Sequence, residues 1–350
     1  MPSLEVIVAG LMLVALTFYA LLGGADFGGG LWDLLARGPR ASKQRALIAD
    51  AIGPIWEANH VWLILVVVIM FSAFPLAFAV IMTALHIPLT LMLIGIVLRG
   101  AAFTFRTYDA QHDRVQRRWS QVFAIASVVT PIMLGICVGA IASGRITVEN
   151  EIVTSGFFES WMAPFPLAVG GFALALFAFL AAVYLTVEAR EPELREDFRR
   201  RALAAAVGVG AMALLVFLLA GAGAPRIRAG LSASLWAWPL QIATGLAAVG
   251  AIWALWTRRF YLARALAAAQ VSLILWGWGA AQFPYLVEPD ITIQDAAAPE
   301  ITLRLLLIAL GVGALLLFPS VYVLFRIFKG PDVFRVQVEP VKEQTKPEGQ

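Results

Sequence analysis

The chain has 350 residues, of which 61% are hydrophobic and only 14% are charged, with a formal net charge of +3. A soluble domain has about 45–50% apolar and about 25% charged residues, so this chain has too little charge to cover a water-facing surface. The composition therefore indicates an all-α integral membrane protein. The single cysteine, Cys137, excludes an intrachain disulfide, a zinc ribbon and a cysteine-ligated iron–sulfur cluster.

Nine apolar stretches are each long enough to cross a hydrocarbon core of roughly 30 Å as a helix. In chain order the predicted spans are Leu4–Gly24, Ile55–Phe74, Leu76–Leu98, Trp119–Ser143, Ala163–Val187, Ala202–Ala222, Trp236–Trp256, Ala263–Phe283 and Ile301–Phe328. Pro75 separates the second span from the third. We expect two four-helix bundles plus one peripheral helix in a single membrane domain, residues 1–329, followed by a disordered cytoplasmic tail at residues 330–350.

Basic residues are divided unequally between the two sides of this predicted domain. The loops of one side and the C-terminal tail hold 22 of the 26 Lys and Arg residues, which leaves Arg145, Arg226, Arg228 and Arg304 for the other. By the positive-inside rule the richer side is cytoplasmic, so the N-terminus lies outside and the C-terminus inside. The basic charge is thus a topology signal and requires no nucleic-acid partner. The first residues lack the basic region of a cleavable signal peptide.

Ionisable groups at membrane depth are costly, and each is a functional hypothesis. Asp26 is predicted just past the inner end of the first span, and Glu57 near the inner end of the second, so the two carboxyls are expected in one cytoplasmic layer. Arg99 ends the third span in that layer as their charge partner. One interpretation is a proton entrance; the alternative is a solvated cluster of charges at helix ends.

The segment Trp56–Trp62 is unusually polar for its depth. Glu57 and His60 are three residues apart and therefore share a helix face, and Asn59 adds a hydrogen-bonding amide. Pro54 predicts a kink with freed backbone carbonyls. The segment is either a hydrated path for protons or an interfacial aromatic belt with capping polar groups.

Two other features have a functional and a structural interpretation. The run Gly23–Gly30 lacks the Lys-Ser/Thr of a phosphate-binding loop, and the spacing of Gly24 and Gly28 favours close helix packing. His86 is predicted near the middle of the third span, where a hydrogen-bonded interior histidine is favoured over a metal ligand.

The end of the eighth span is rich in aromatic residues. Trp276, Trp278, Phe283 and Tyr285 are candidates for contact with a quinone ring or tail. The alternative is an ordinary aromatic belt at the outer membrane interface.

Four motifs occur in order along the chain: Gly23–Gly28, Trp56–Trp62, Arg99–Arg106 and Gln282–Tyr285. Together they resemble subunit II of the cytochrome bd-type quinol oxidases, over nearly the whole chain to about Lys329. The tryptophan-flanked acidic motif is the most specific of the four.

The resemblance implies a respiratory quinol:O2 oxidoreductase of the bacterial cytoplasmic membrane. Subunit I of that family carries haem b, with or without haem d, and the quinol-oxidising loop. Subunit II, the position of this chain, is implied to be haem-free, to bind no metal and to hold no catalytic residue. It pairs with subunit I as a heterodimer, to which a small single-span subunit and a bound quinone are further expected additions.

The resemblance also implies a proton path from the cytoplasm through Glu57, and Asp26 matches the second acid of the first-span motif. Gly23 stands where the first acid of that motif is usual, and His60 replaces a commoner acid or amide. A secondary transporter with an acidic cytoplasmic-side site is the alternative, which the position of the acids away from the midplane disfavours. A purely structural membrane subunit is the third hypothesis.

Overall fold

The computed structural model describes residues 3–53, 56–108 and 113–329. The helices in this part of the chain are α1 (Leu4–Leu34), α2 (Ala41–Ile52), α3 (Trp56–Ala73), α4 (Pro75–Ala84), α5 (His86–Tyr108), α6 (Asp113–Ala142), α7 (Pro164–Glu188), α8 (Pro192–Gly223), α9 (Pro225–Ala233), α10 (Ala237–Trp256), α11 (Phe260–Gln282) and α12 (Glu300–Lys329). Two antiparallel pairs of short strands connect helices: β1 (Val148–Glu149) with β2 (Ile152–Val153), and β3 (Tyr285–Val287) with β4 (Ile291–Thr292).

Among the described residues, nine helices have the length and apolar composition needed to cross a membrane. This confirms the predicted helical architecture and the predicted number of spans. The second, fifth, seventh, eighth and ninth spans begin and end within a few residues of helices α3, α7, α10, α11 and α12. The shorter helices α2 and α9 are additional, because the hydropathy of the spans does not reveal short helices in the connections.

The third span differs from its prediction. The stretch predicted as Leu76–Leu98 is divided at Leu85 into the short helix α4 and the longer helix α5. His86 therefore begins α5 and does not lie in the middle of a span, which corrects the prediction. Its Nδ1 is 2.9 Å from the carbonyl oxygen of Thr83, and its ring meets Phe157 edge to face, so His86 has a structural place at the break.

Helix α1 continues ten residues beyond its predicted end at Gly24. Asp26, predicted just past the end of the first span, therefore lies inside a continuous helix. A side chain at Gly24 would meet the ring of Phe177, and a side chain at Gly28 would overlap the carbonyl group of Phe177 on α7. The glycines thus allow α1 and α7 to touch, and this burial offsets their poor helix propensity. The prediction that they serve close packing is confirmed.

Polar contacts join the segment after α1 to the beginning of α8. Arg40 donates hydrogen bonds of 2.8 Å and 2.6 Å to the two carboxylate oxygens of Asp197. Gln44 on α2 donates to the same carboxylate and accepts a 2.7 Å hydrogen bond from Arg201. These contacts fix α2 against α8 beside the end of α1 that contains Asp26.

The chain divides into two compact units, residues 1–308 and residues 309–350. The first contains α1 to α11, both strand pairs and the beginning of α12. The second contains the rest of α12, to Lys329. The predicted tail, residues 330–350, lies outside the described residues.

Candidate functional site

Asp26, Asn59, His60 and Arg99 form what we call the buried polar cluster. Asp26 lies on α1 and Asn59 near the beginning of α3, and their side chains are 4% and 1% exposed. Nδ2 of Asn59 donates a 2.6 Å hydrogen bond to Oδ2 of Asp26. Since a carboxylate removed from water needs donors to replace its hydration, this bond stabilises Asp26 in its buried position.

Arg99 supplies a buried positive charge to this cluster. It is 2% exposed and lies inside α5, whereas the sequence predicted it at the end of a span. Its Nε donates a 3.2 Å hydrogen bond to Oγ of Ser127 on α6. The guanidinium carbon is 4.7 Å from the centre of the Phe27 ring and 5.2 Å from that of Phe123. Arg99 also interacts electrostatically with Asp26.

His60 is the half-buried member of the cluster and lies in an aromatic wall. The centre of its ring is 6.0 Å from that of Tyr19, 5.8 Å from that of Phe27 and 6.2 Å from that of Trp56. Its Nδ1 is buried and has no hydrogen-bond partner among the described residues. His60 is thus an available polar group on the α3 side of the cluster.

Glu57 lies on a different face of α3. It is exposed and belongs to a row of outward-facing side chains that continues, at helical spacing, with Val61, Ile64, Val68 and Phe71. The structure therefore separates two neighbours in sequence: Glu57 faces outward from the chain, and Asn59 faces inward to Asp26. We call this row, Glu57, Val61, Ile64, Val68 and Phe71, the α3 stripe.

Two further buried polar residues near the cluster, Ser127 and Asp33, are not among the site residues predicted from the sequence. Ser127 is fully buried and links Arg99 to α6, because its hydroxyl donates a 2.7 Å hydrogen bond to the carbonyl oxygen of Phe123. Asp33, 3% exposed, is a second buried acid of α1. Its signal in the sequence is its spacing of seven residues from Asp26, which places both acids on one helix face if the glycine run is helical.

The aromatic residues at the end of the eighth span have different surroundings. Trp278 lines an apolar cavity of about 560 Å³ between α1 and helices α6 to α11, and its Nε1 is buried without a hydrogen-bond partner among the described residues. Trp276 and Phe283 are 44% and 56% exposed. Tyr285 on β3 lies under the guanidinium of Arg226, 4.6 Å from its ring centre. Among these four residues, Trp278 is the one that lines the cavity.

The part of the chain that the structure describes contains no group of three or more His, Cys, Asp or Glu side chains arranged to hold a metal ion. Cys137 is buried in α6. His112, the remaining histidine, lies outside the described residues.

Comparisons with known proteins agree with the resemblance of the motifs. The family model of cytochrome bd terminal oxidase subunit II matches residues 4–328. A protein of Bacillus subtilis strain 168, described as a candidate cytochrome bd menaquinol oxidase subunit II, is 23% identical over 89% of this chain and 91% of its own length. Subunit 2 of the cytochrome bd-I ubiquinol oxidase of Escherichia coli K12 is 26% identical over 59% of this chain and 54% of its own length.

A solved structure has the same fold. The bd oxidase from Geobacillus thermodenitrificans contains a chain that superposes with a TM-score of 0.79 at 24% identity, over 93% of this chain and 99% of that one. The nine helices of membrane-spanning character within the described residues fit this neighbour. The chain therefore belongs to the cytochrome bd terminal oxidase subunit II family and is a multi-pass inner-membrane component of a quinol oxidase complex.

Proposed function

We propose that this chain is the haem-free subunit II of a membrane quinol:O2 oxidoreductase, in which it stabilises a haem-bearing subunit I and supplies protons from the cytoplasm for the reduction of O2 to water. Subunit I holds haem b, with or without haem d, and performs the redox chemistry. The reaction is electrogenic because protons are consumed from the cytoplasmic side, without pumping. The N-terminus of this chain lies outside, the C-terminus is cytoplasmic, and the spans form two four-helix bundles plus one peripheral helix.

The position of Glu57 is the observation that carries this proposal. It is the acid of the α3 stripe, whose other members are apolar and exposed. A carboxylate at the margin of the membrane is costly when lipid surrounds it, and the cost is relieved where another protein or a hydrated path covers it. An exposed acid in an apolar row therefore favours a partner subunit over lipid as the neighbour of this face.

The buried polar cluster lies on the other side of α3. Glu57 faces the proposed partner, while Asn59, two residues further on, holds Asp26 in the interior of this chain. The two carboxyls thus lie on opposite sides of the first turns of α3, with Glu57 on α3 itself and Asp26 on α1. In the proposed mechanism they take up cytoplasmic protons and release them towards subunit I.

Arg99 and Asn59 allow Asp26 to change its protonation state in place. When Asp26 releases a proton, the buried guanidinium of Arg99 balances the new negative charge, and the amide of Asn59 donates to it. Without these groups the carboxylate would be an uncompensated buried charge, which is strongly destabilising. His60, beside them, is a further polar group for the path.

A secondary transporter is the alternative function. Transporters commonly hold their substrate near the membrane midplane between discontinuous helices. Here α1 runs unbroken through the position of Asp26, and the polar cluster lies at the first turns of α3. A purely structural subunit is the other alternative, and the substitution of Glu57 separates it from the proposal.

A bound quinone belongs to the proposal as an additional ligand. The apolar cavity beside Trp278 has room for part of an isoprenoid tail, and the buried Nε1 of Trp278 is a donor for a quinone carbonyl. The cavity wall does not include the other three aromatic candidates. Trp276 and Phe283 are exposed, and Tyr285 contacts Arg226. A small single-span subunit is a further proposed partner.

Two experiments test the proposed function. First, the chain is expressed with its candidate subunit I and purified through a tag on this chain, and a reduced-minus-oxidised spectrum is recorded. Haem b signals are expected to co-purify with it. A colourless chain without a partner would overturn the proposal.

Second, Glu57→Gln is compared with Asp50→Asn, which removes an exposed acid from α2 seven residues earlier. We expect Glu57→Gln to lower quinol-dependent O2 consumption by about tenfold or more at unchanged haem content, since it removes a proton-transfer group. Asp50→Asn is expected to retain normal turnover. Normal rates of O2 consumption in both variants would refute the proton-transfer role of Glu57 and would indicate a structural role instead.

A further inference from the structure

Helix α1 contains two buried acids on one face. Asp26 and Asp33 are 4% and 3% exposed and are seven residues apart, which corresponds to about 10 Å along a helix. Gly30 lies between them on the same face. Asp33 belongs to neither the sequence motifs nor the mechanism described above.

The absent side chain of Gly30 makes room for Ser127. A Cβ at this position would overlap the hydroxyl group of Ser127, and no larger residue fits unless α6 moves. The same hydroxyl accepts the hydrogen bond from Nε of Arg99. The face of α1 between the two acids is therefore lined by a serine hydroxyl and by the guanidinium that interacts with Asp26.

This stretch has unused hydrogen-bonding capacity. Nη2 of Arg99 and Oδ1 of Asn59 are buried and have no hydrogen-bond partner among the described residues. Buried polar atoms of this kind usually bind ordered water. These two atoms can bind water beside Asp26, and the Ser127 hydroxyl at Gly30 is the next polar group towards Asp33.

Arg45 connects Asp33 to the solvent side. Its Nε is 4.0 Å from Oδ1 of Asp33, and its Nη2 donates a 3.0 Å hydrogen bond to the carbonyl oxygen of Ala36 just beyond α1. The Arg45 side chain is 42% exposed, whereas Asp33 is buried. Nearby, the guanidinium of Arg201 lies over the Trp32 ring, 5.3 Å from its centre. Asp33 thus lies between the water-accessible, basic end of α1 and the interior.

The position of Asp33 is an unfavourable one for a carboxylate. It occupies the last turns of α1, where the helix dipole disfavours a negative charge, and α1 has no basic residue in its own last turn. Burial adds a second cost. An asparagine would fill nearly the same space without either cost but would lose the ion pair with Arg45, so Asp33 is an ionisable group kept at a buried position.

We propose that Asp33 is a proton-collecting residue that takes protons from the cytoplasmic side beside Arg45 and passes them, along the face of α1 at Gly30 and Ser127, to Asp26. This inference rests on the proposed function of the cluster. Each transfer moves one proton from a carboxyl to water and then to the next carboxylate, so Asp33 is regenerated as a carboxylate and no electron moves.

The test uses the assembled complex with subunit I. Asp33→Asn is compared with wild type, with the conservative Asp33→Glu and with the exposed control Asp50→Asn, by quinol-dependent O2 consumption from pH 6 to pH 8.5. We expect Asp33→Asn to lower turnover by about threefold or more at the alkaline end and by less at the acidic end, because collection limits the rate when protons are scarce. Asp33→Glu restores the wild-type profile, and Asp50→Asn never departs from it.

Other outcomes distinguish this inference from the proposed function. A wild-type pH profile for Asp33→Asn, together with slow turnover of Asp26→Asn, overturns the role of Asp33 alone. Normal turnover of both Asp26→Asn and Glu57→Gln overturns the proposed function. If Asp33→Asn and Asp33→Ser both fail to assemble while Asp33→Glu assembles, the carboxylate is needed for folding and the inference is rejected.

Discussion

The side-chain amide of Asn59 donates a 2.6 Å hydrogen bond to the carboxylate of Asp26, and both groups are almost fully buried. The bond joins α3 to α1 at the point where the glycine run of α1 begins to pack against α7. This contact therefore holds Asp26, the candidate proton acceptor, against α3, the helix on which Glu57 faces outward.

Removal of this amide tests the link. Asn59→Leu leaves the Asp26 carboxylate without its neutral donor, so we expect a loss of about 1–3 kcal/mol in stability, seen as a lower melting temperature of the purified complex. Asp26→Asn keeps an acceptor for Asn59 but leaves the buried guanidinium of Arg99 without its carboxylate, so we expect it to lose stability as well. If the two residues act as a pair, the double variant is less destabilised than the sum of the single variants. Strict additivity would show that the contact contributes nothing.

The glycines of α1 provide a graded test of packing. Gly28→Ala places a methyl group onto the backbone carbonyl of Phe177, which cannot rotate away, whereas Gly24→Ala meets the movable ring of the same residue. Gly10→Ala, on the same helix, meets no atom within 4 Å. We expect Gly28→Ala to lose about 1–3 kcal/mol or to fail to assemble, and Gly24→Ala to lose less. The matched control Gly10→Ala should be neutral or stabilising, because alanine favours helix.

Yield of the complex and its melting temperature measure this series. A Gly28→Ala complex as stable as Gly10→Ala would contradict the close approach of α1 and α7. Equal losses at all three positions would indicate an effect of helix propensity and not of contact between helices.

Hydropathy predicts the spans because lipid imposes both the length and the composition of a crossing helix. It does not reveal where α1 ends. The residues after Gly24 are glycine-rich and include Asp26, and they remain helical because Phe177 and Ser127 fill the space that the glycines leave. Nor does it reveal the break at Leu85, because the neighbouring residues include no charge that would mark it.

The sequence predicts which residues form the candidate site, but it does not predict which way their side chains face. Asp26, Asn59 and Arg99 stand out because polar groups are rare in apolar stretches. That Asn59 faces Asp26 while Glu57 faces outward depends on how α3 is rotated against α1, which is set by packing. Asp33 lies outside the predicted first span and gains meaning only once the glycine run is known to be helical.

The β3–β4 connection contains a buried acid, Glu288, whose protonation is expected to affect stability in a pH-dependent way. Glu288 is 2% exposed, and its backbone N–H donates a 3.0 Å hydrogen bond to the carbonyl oxygen of Ile141. Burial raises the pKa of Glu288 from 4.5 to about 7, against the opposing effect of Arg226. The native state therefore binds this proton more tightly than the unfolded state does.

The sign of the effect on stability follows from that difference in proton binding. Between pH 4.5 and about 7 the free energy of unfolding falls as the pH rises, because the unfolded chain releases the Glu288 proton first. Above that range the buried carboxylate costs up to about 3 kcal/mol. We expect Glu288→Gln to raise the melting temperature at pH 8 and to change it little at pH 5. The exposed control Glu149→Gln, on β1, should leave the wild-type pH dependence unchanged. An equal shift of Glu288→Gln at both pH values would show that its effect comes from packing and not from titration.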